Sequence, residues 1–226
     1  MKYVLTGPKL IGIFGGTFDP IHYGHLRVGE EIAEIASLAE MKFVPAPAPR
    51  LRQPPLATIQ HRAEMVRLAI EGNSKFMLDL REVQRAGPTY SIDTLREMKQ
   101  ELGDSAILCF MLGADAFMKL PEWYGWREMF GLCHFIVAAR PGHPLLEDTD
   151  ILPRELMLEC QNRWVSGPRK LGGRPFGLVF LAPTILLDIS ATNIRACISS
   201  GKSARYLLPD ATLDYISANR LYLEGQ

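Results

Sequence analysis

Two histidines three residues apart, His22 and His25, follow a glycine pair, Gly15-Gly16, and an Asp19-Pro20 turn. At that spacing two imidazoles occupy neighbouring positions on the first turn of a helix. A helix start also carries unpaired N–H groups and a partial positive charge, a combination that suits a phosphate. The stretch Gly15-Gly16-Thr17-Phe18 with both histidines reads as a site for a polyphosphate whose charge grows during a reaction. A second set lies far along the chain, in Ile189-Ser-Ala-Thr-Asn-Ile-Arg195. Ser190 suits a helix cap, Thr192 follows within the first turn, and Arg195 projects on the same side as Thr192. Two hydroxyls and a guanidinium at a helix start make a second phosphate grip. Taken singly, Ser190 is only a cap, Arg195 a solvated side chain, and the glycine turn a turn with two surface histidines. Together they offer what a triphosphate needs.

Neighbouring phosphate chemistries are excluded by spelling. No Gly-x-Gly-x-x-Gly is present and the second strand ends at Pro45 instead of an acid, so the dinucleotide fingerprint is absent. A P-loop would need Gly-Lys-Ser/Thr. Zinc would need more ligands than His22 and His25, and no Cys or His cluster supplies them, so no directly ligated metal is expected.

The elements that must position these residues follow from periodicity. Leu10–Phe14 is an apolar run that reads as a buried strand, and from Tyr23 the pattern turns helical. Met41–Val44 reads as a second strand. The proline-rich 45–55 segment cannot continue it and becomes a loop carrying Arg50 and Arg52, either a plain connector or a basic lid over an anion. Thr58–Ile70 reads as a Thr-capped helix, Phe76–Leu80 as a strand, and a helix starts with Ser91 near its cap. Ala106–Leu112 has the seven apolar residues of a strand covered on both faces, running into Gly113-Ala-Asp115. Leu120–Trp126 begins a short helical piece. Phe135–Ala139 is a strand ending at Arg140, and Leu152–Trp164 reads as a helix. The glycine-rich, basic 166–175 stretch reads as a mobile insert. Leu178–Leu181 and Ile185–Leu187 read as short strands, and helices follow from Ile189 and from Pro209. Strand and helix in alternation predict an α/β fold with a doubly wound, Rossmann-like parallel sheet, helices on both faces and a small C-terminal helical part. The chain reads as a single domain, 1–226, with its core at about 10–188 and phosphate-gripping helices at about 189–226. Ligands of such a sheet sit at the carboxyl ends of the strands, where the glycine turn, Asp115 and Arg140 fall.

Bulk composition narrows the class. With 47% apolar and 22% charged residues the chain resembles an ordinary soluble protein. Lys+Arg and Asp+Glu both number 25, which argues against a broad nucleic-acid surface. Four scattered cysteines, mostly among apolar neighbours, read as reduced thiols of a cytoplasmic protein. No apolar run is long enough to span a membrane, and the first nine residues lack the apolar core of a signal peptide.

The Gly15–His25 stretch resembles the GxFxPxHxGH signature of the nucleotidylyltransferase superfamily, and its spelling is most similar to the bacterial nicotinate mononucleotide adenylyltransferases. Ile189–Arg195 resembles that family's ISSTxIR. Tyr90–Leu95, Leu112–Asp115, Leu120–Tyr124, Arg140–Gly142 and Lys202–Pro209 resemble its other motifs, in order and at similar spacings. The resemblance implies an enzyme that joins ATP to nicotinate mononucleotide, releasing pyrophosphate, with Mg2+ bound through the ATP phosphates. It also implies residue roles. His22, His25 and Arg195 would act at the reacting phosphates. Gly15, Gly16, Thr17, Phe18, Gly113, Asp115, Arg140, Ser190 and Thr192 would hold ATP. Arg52, Tyr90, Ser91, Trp123 and Tyr124 would hold the mononucleotide, Trp123 stacking on the pyridine unless it is simply a core aromatic. Nucleic acid and membrane are not implied as partners, and a homo-oligomer is left open.

One stretch departs from the family pattern: Leu51 stands where a histidine is usual, leaving Arg52 as the cation for the acceptor phosphate. The 166–175 stretch has no recognised counterpart. Rival readings are pantetheine-phosphate adenylyltransferase, which usually carries Thr at the position of His22, and a non-catalytic nucleotide sensor, which could discard His25 or Arg195. A class I aminoacyl-tRNA synthetase would need a longer chain and a lysine-rich loop in place of Ile189–Arg195.

Overall fold

The computed structural model describes residues 8–47, 54–139, 145, 148–185 and 187–223. In chain order the elements are β1 (Lys9–Gly16), α1 (Tyr23–Ile35), β2 (Glu40–Pro45), α2 (Ile59–Ile70), β3 (Phe76–Leu78), α3 (Arg81–Gln84) and α4 (Ser91–Leu102). Then follow β4 (Ala106–Gly113), α5 (Ala114–Met118), α6 (Trp126–Met129), β5 (Cys133–Ala139), α7 (Arg154–Cys160), β6 (Trp164–Val165), β7 (Val179–Pro183), α8 (Ala191–Ser199) and α9 (Asp210–Ala218). The strands make one seven-stranded sheet in the order β3-β2-β1-β4-β5-β7-β6. Chain order reverses after β1, the doubly wound pattern, and β4–β5, β5–β7 and β6–β7 pair in parallel. No described helix is long and apolar enough to cross a membrane.

The described residues group into two compact units. One comprises the described parts of 8–13, 31–41 and 90–184, the other those of 14–30, 42–89 and 185–223.

In the first unit β4 and β5 are buried along nearly their whole length, as their unbroken apolar runs require. The 166–175 stretch is not a loose insert. It forms a 3-10 segment, Pro168–Gly173, that buries Leu171 completely. His134 on β5 anchors its far side. The Leu178 N–H donates to His134 Nδ1 at 3.0 Å, so Nε2 carries the proton and donates to the Arg174 carbonyl at 2.9 Å. Glycine-rich composition suggested mobility, but one leucine and one histidine outweigh it. The helix expected over Leu152–Trp164 is shorter, α7 alone, because Trp164 and Val165 pair with Val179 and Phe180 as β6. Tyr90, not Ser91, caps α4, and no side chain closes that cap.

In the second unit Thr58 caps α2 as its sequence predicts, its hydroxyl accepting from His61 N–H. β3 ends at Leu78, two residues short of the expected strand. Ile185 and Leu187 are not in a strand: the Ile189 N–H turns back onto the Leu187 carbonyl at 2.8 Å, which ends pairing and leads into α8.

The order of the 166–175 stretch has a measurable consequence. Leu171→Ala is expected to lower the unfolding free energy by about 3 kcal/mol, the scale of a leucine-sized cavity. Leu158→Ala, at a site 58% exposed, should change it by less than about 0.5 kcal/mol. Denaturant unfolding of the two variants checks this, and equal effects would contradict an anchored segment.

Candidate active site

The second unit brings both predicted phosphate grips into one network. β1 delivers the chain to Gly16, and Phe18 then turns back with φ 49 and buries its ring. A Cβ on Gly16 would lie 2.7 Å from that ring, so only glycine allows the return. α1 opens where the His25 and Leu26 N–H groups meet the His22 carbonyl at 2.9 and 3.2 Å. The His22 and His25 rings stack with centroids 3.8 Å apart, inclined by 25°. Phe18 meets His25 edge-on at 5.2 Å. Gly24 makes the stack possible: a Cβ there would stand 2.9 Å from His22 Nδ1.

His22 is 5% exposed, and its Nδ1 is buried without a hydrogen-bond partner among the described residues. Burial pushes its pKa from 6.5 down to about 4. At neutral pH it is therefore an uncharged imidazole, able to donate or accept a hydrogen bond but not to act as a fixed cation.

Two side chains that sequence reading did not single out hold the loop around these rings. Arg62, 1% exposed on α2, donates Nη1 to the Thr17 and Ala46 carbonyls at 2.5 and 2.7 Å, Nη2 to Pro47 at 2.6 Å and Nε to Ala57 at 3.2 Å. Its sequence signal was available: it stands on the stripe of α2 that otherwise holds Ala63, Val66 and Ile70. Asp19, which read only as part of a turn, is a buried carboxylate. Oδ2 accepts from Leu56 N–H at 2.8 Å, while Oδ1 accepts from Ala57 N–H at 3.1 Å and from the Tyr222 hydroxyl at 2.7 Å.

α8 starts at the expected Ser190 cap. Ser190 caps it, accepting from Asn193 N–H at 3.1 Å. Arg195 donates Nη1 to the Asp19 carbonyl at 2.6 Å and lies within 3.5 Å of Thr192 Oγ1 through Nη2. A guanidinium has five N–H donors, so it can hold this carbonyl and still meet an anion.

The first unit holds the remaining candidates. Gly113 ends β4 and Asp115 lies in the first turn of α5, both exposed. A Cβ on Gly113 would meet nothing within 4 Å, so the protein's own packing does not demand glycine there. Trp123 is half-buried edge-on to Phe110, 6.1 Å away, and the rings of Tyr90 and Tyr124 lie 4.6 Å apart. The Trp123 N–H is spent on the Leu120 carbonyl at 2.9 Å. The Ser91 and Tyr124 N–H groups donate to no described residue. Arg52 and Arg140, with Leu51, lie outside the described residues. Among those described, no group of three or more His, Cys, Asp or Glu side chains could hold a metal.

A glycine turn, a paired-histidine helix start and a serine-capped helix with a guanidinium define a nucleotidyl-transfer type of site. The chain belongs to the cytidylyltransferase-like family, whose pattern it matches over residues 13–197. It is 42% identical over 215 residues to the "Probable nicotinate-nucleotide adenylyltransferase" of Methylococcus capsulatus, covering 94% of this chain and 99% of that protein. With the same-named protein of Dechloromonas aromatica it shares 43% over 212 residues, covering 94% and 97%. Within the family, this chain belongs with the nicotinate-nucleotide adenylyltransferases. Its fold is that of Plasmodium falciparum nicotinic acid mononucleotide adenylyltransferase complexed with NaAD, with a TM-score of 0.68 at 21% identity over 95% of this chain and 97% of that one.

The buried His22 couples the site to acid stability. Below pH 6.5 the unfolded chain protonates this imidazole, whereas the folded chain refuses the proton until about pH 4. Stability is therefore full above pH 6.5 and falls between 6.5 and 4, by about 3 kcal/mol for this group. His22→Gln should flatten that part of the pH–stability curve, read by denaturant unfolding at several pH values. An unchanged slope would show that His22 is protonated in the folded protein.

Proposed function

We propose that the chain transfers the adenylyl group of ATP to nicotinate mononucleotide, forming nicotinate adenine dinucleotide and pyrophosphate. An oxygen of the acceptor's 5′-phosphate attacks the α-phosphorus of ATP. The new P–O bond forms as the bond from the α-phosphorus to the bridging oxygen breaks, and that oxygen leaves with pyrophosphate. No covalent intermediate with the protein is needed, so catalysis is positioning and charge neutralisation.

The observation that carries this reading is the joining of two distant phosphate grips: Arg195 of α8 bonds the carbonyl of Asp19, three residues before His22. His25, stacked on His22, stabilises charge at the reacting phosphorus. Neutral His22 serves as a hydrogen-bonding partner for phosphate oxygen, and Ser190, Thr192 and Arg195 hold the departing pyrophosphate. The turn from Gly15 to Phe18 lets the backbone approach ATP, and Gly113 and Asp115 hold its ribose. Charge on the phosphates would be further neutralised by Mg2+ carried on ATP. The described donor set has no acidic cage, which fits an ion carried by ATP and water.

For the acceptor, Trp123 stacks on the pyridine while the Ser91 and Tyr124 N–H groups meet its carboxylate. Donor pairs favour carboxylate over carboxamide, because both carboxylate oxygens accept, whereas the amide turns an NH2 toward one donor. One such mismatch costs about 1–3 kcal/mol.

A product assay with ATP and each acceptor tests the reading. Nicotinate mononucleotide should exceed the amide nucleotide by at least about tenfold in kcat/KM, the ratio that about 1.4 kcal/mol supplies. Equal efficiencies would show the carboxylate pocket misread. His25→Ala should fold normally and lose about a hundredfold in kcat, the scale of one charge-stabilising group. An unaltered kcat would remove His25 from the reaction.

A further inference from the structure

We propose that Tyr222, near the end of the chain, is a positioning residue for Arg195, acting through Asp19. This role rests on the reading of Arg195 as a phosphate ligand given above.

α9 closes with a two-bond stop: Arg220 N–H to the Ser217 carbonyl at 3.2 Å and Leu221 N–H to Ile216 at 3.0 Å. That stop places Arg220 at φ 53, where glycine is usual. Tyr222 then adopts φ 65 in its turn. Two bulky residues in the left-handed region are disfavoured, and such conformations persist only where the surroundings demand them. Here they reverse the chain and bury Tyr222 to 6% exposure, with its hydroxyl 2.7 Å from Asp19 Oδ1. Burial, then the neighbouring Asp19 charge, push the phenol's pKa upward, so it stays protonated and donates.

The geometry around Asp19 gives that hydrogen bond a purpose. Its carbonyl holds Arg195 Nη1 at 2.6 Å, while its carboxylate Oδ2 stands 3.8 Å from the same nitrogen. The carboxylate competes with any phosphate for the guanidinium. The N–H groups of Leu56 and Ala57 restrain it from one side, and the Tyr222 hydroxyl supplies the remaining donor. Without that hydroxyl, Oδ1 keeps one donor, and the carboxylate gains by turning toward Arg195 as a direct ion pair. The guanidinium is then withdrawn from ATP. Four of the five Arg62 N–H donors are already held by the carbonyls of Thr17, Ala46, Pro47 and Ala57.

Tyr222→Phe deletes one oxygen and keeps the ring, and a double-mutant cycle with Arg195→Ala reads the coupling. The KM for ATP, the KM for nicotinate mononucleotide, kcat and thermal unfolding are measured for the wild type, both single variants and the double variant. Tyr222→Phe should raise the ATP KM about tenfold and lower kcat, while the acceptor KM stays within about twofold. In the Arg195→Ala background it should change none of them. An ATP KM that does not move, an effect undiminished without Arg195, or a chain unfolded at the assay temperature would each overturn the role. A wild type that makes no dinucleotide would instead overturn the reading of the site, and this role with it.

Discussion

The loop that leads from β1 to His22 and into α1 depends on a buried guanidinium. Arg62 offers donors to four backbone carbonyls and has almost no contact with water. Burying such a charge costs several kcal/mol before any bond is counted. Burial accordingly lowers its hold on its proton, and the nearby Asp19 charge partly restores it. The four bonds offset the cost and fix the segment after β1, the segment after β2 and the lead into α2 relative to one another. Removing the side chain would strand those carbonyls, each at about 1–3 kcal/mol. A site that stabilises charge with backbone dipoles works only if the backbone does not reorganise as the charge develops. Arg62 satisfies that condition without touching a ligand.

The rings inside this frame are set by absence of bulk as much as by contacts. Gly16 admits the ring of Phe18, and Gly24 admits the ring of His22. Phe18 in turn supports His25 edge-on, with Phe14 also near it at 6.0 Å. The histidine pair is thus held by aromatic packing on apolar neighbours. That packing desolvates His22 and keeps it neutral.

Much of this was legible in the sequence where side chains advertise themselves. The apolar runs gave β1, β4 and β5, the Thr58 and Ser190 caps gave the starts of α2 and α8, and the His22-His25 spacing gave the helix entrance. What escaped were features decided by tertiary partners. Arg62 looks like a misplaced charge on an apolar stripe until its carbonyls are found. Asp19 looks like a turn residue until a tyrosine 203 positions away is found on it. Trp164 belonged to a helical pattern that β7 overrode by pairing. The glycines at 172 and 173 suggested mobility, but composition does not reveal that Leu171 has a pocket and Arg174 an imidazole partner.

A deeper limit concerns recognition by the backbone. Every residue except proline carries the same N–H, so a donor aimed at a carboxylate or phosphate has no letter of its own. Its direction comes from where a helix begins and how the loop before it turns. Ser91 opens α4 behind a tyrosine cap whose side chain makes no capping bond, which leaves the first N–H groups of that helix for another acceptor. If recognition rests on such positions, side chains can change widely while helix starts stay in register. The side chains under tightest constraint are then the ones that hold the backbone still: Arg62 on its four carbonyls, and Asp19 between Tyr222 and Arg195.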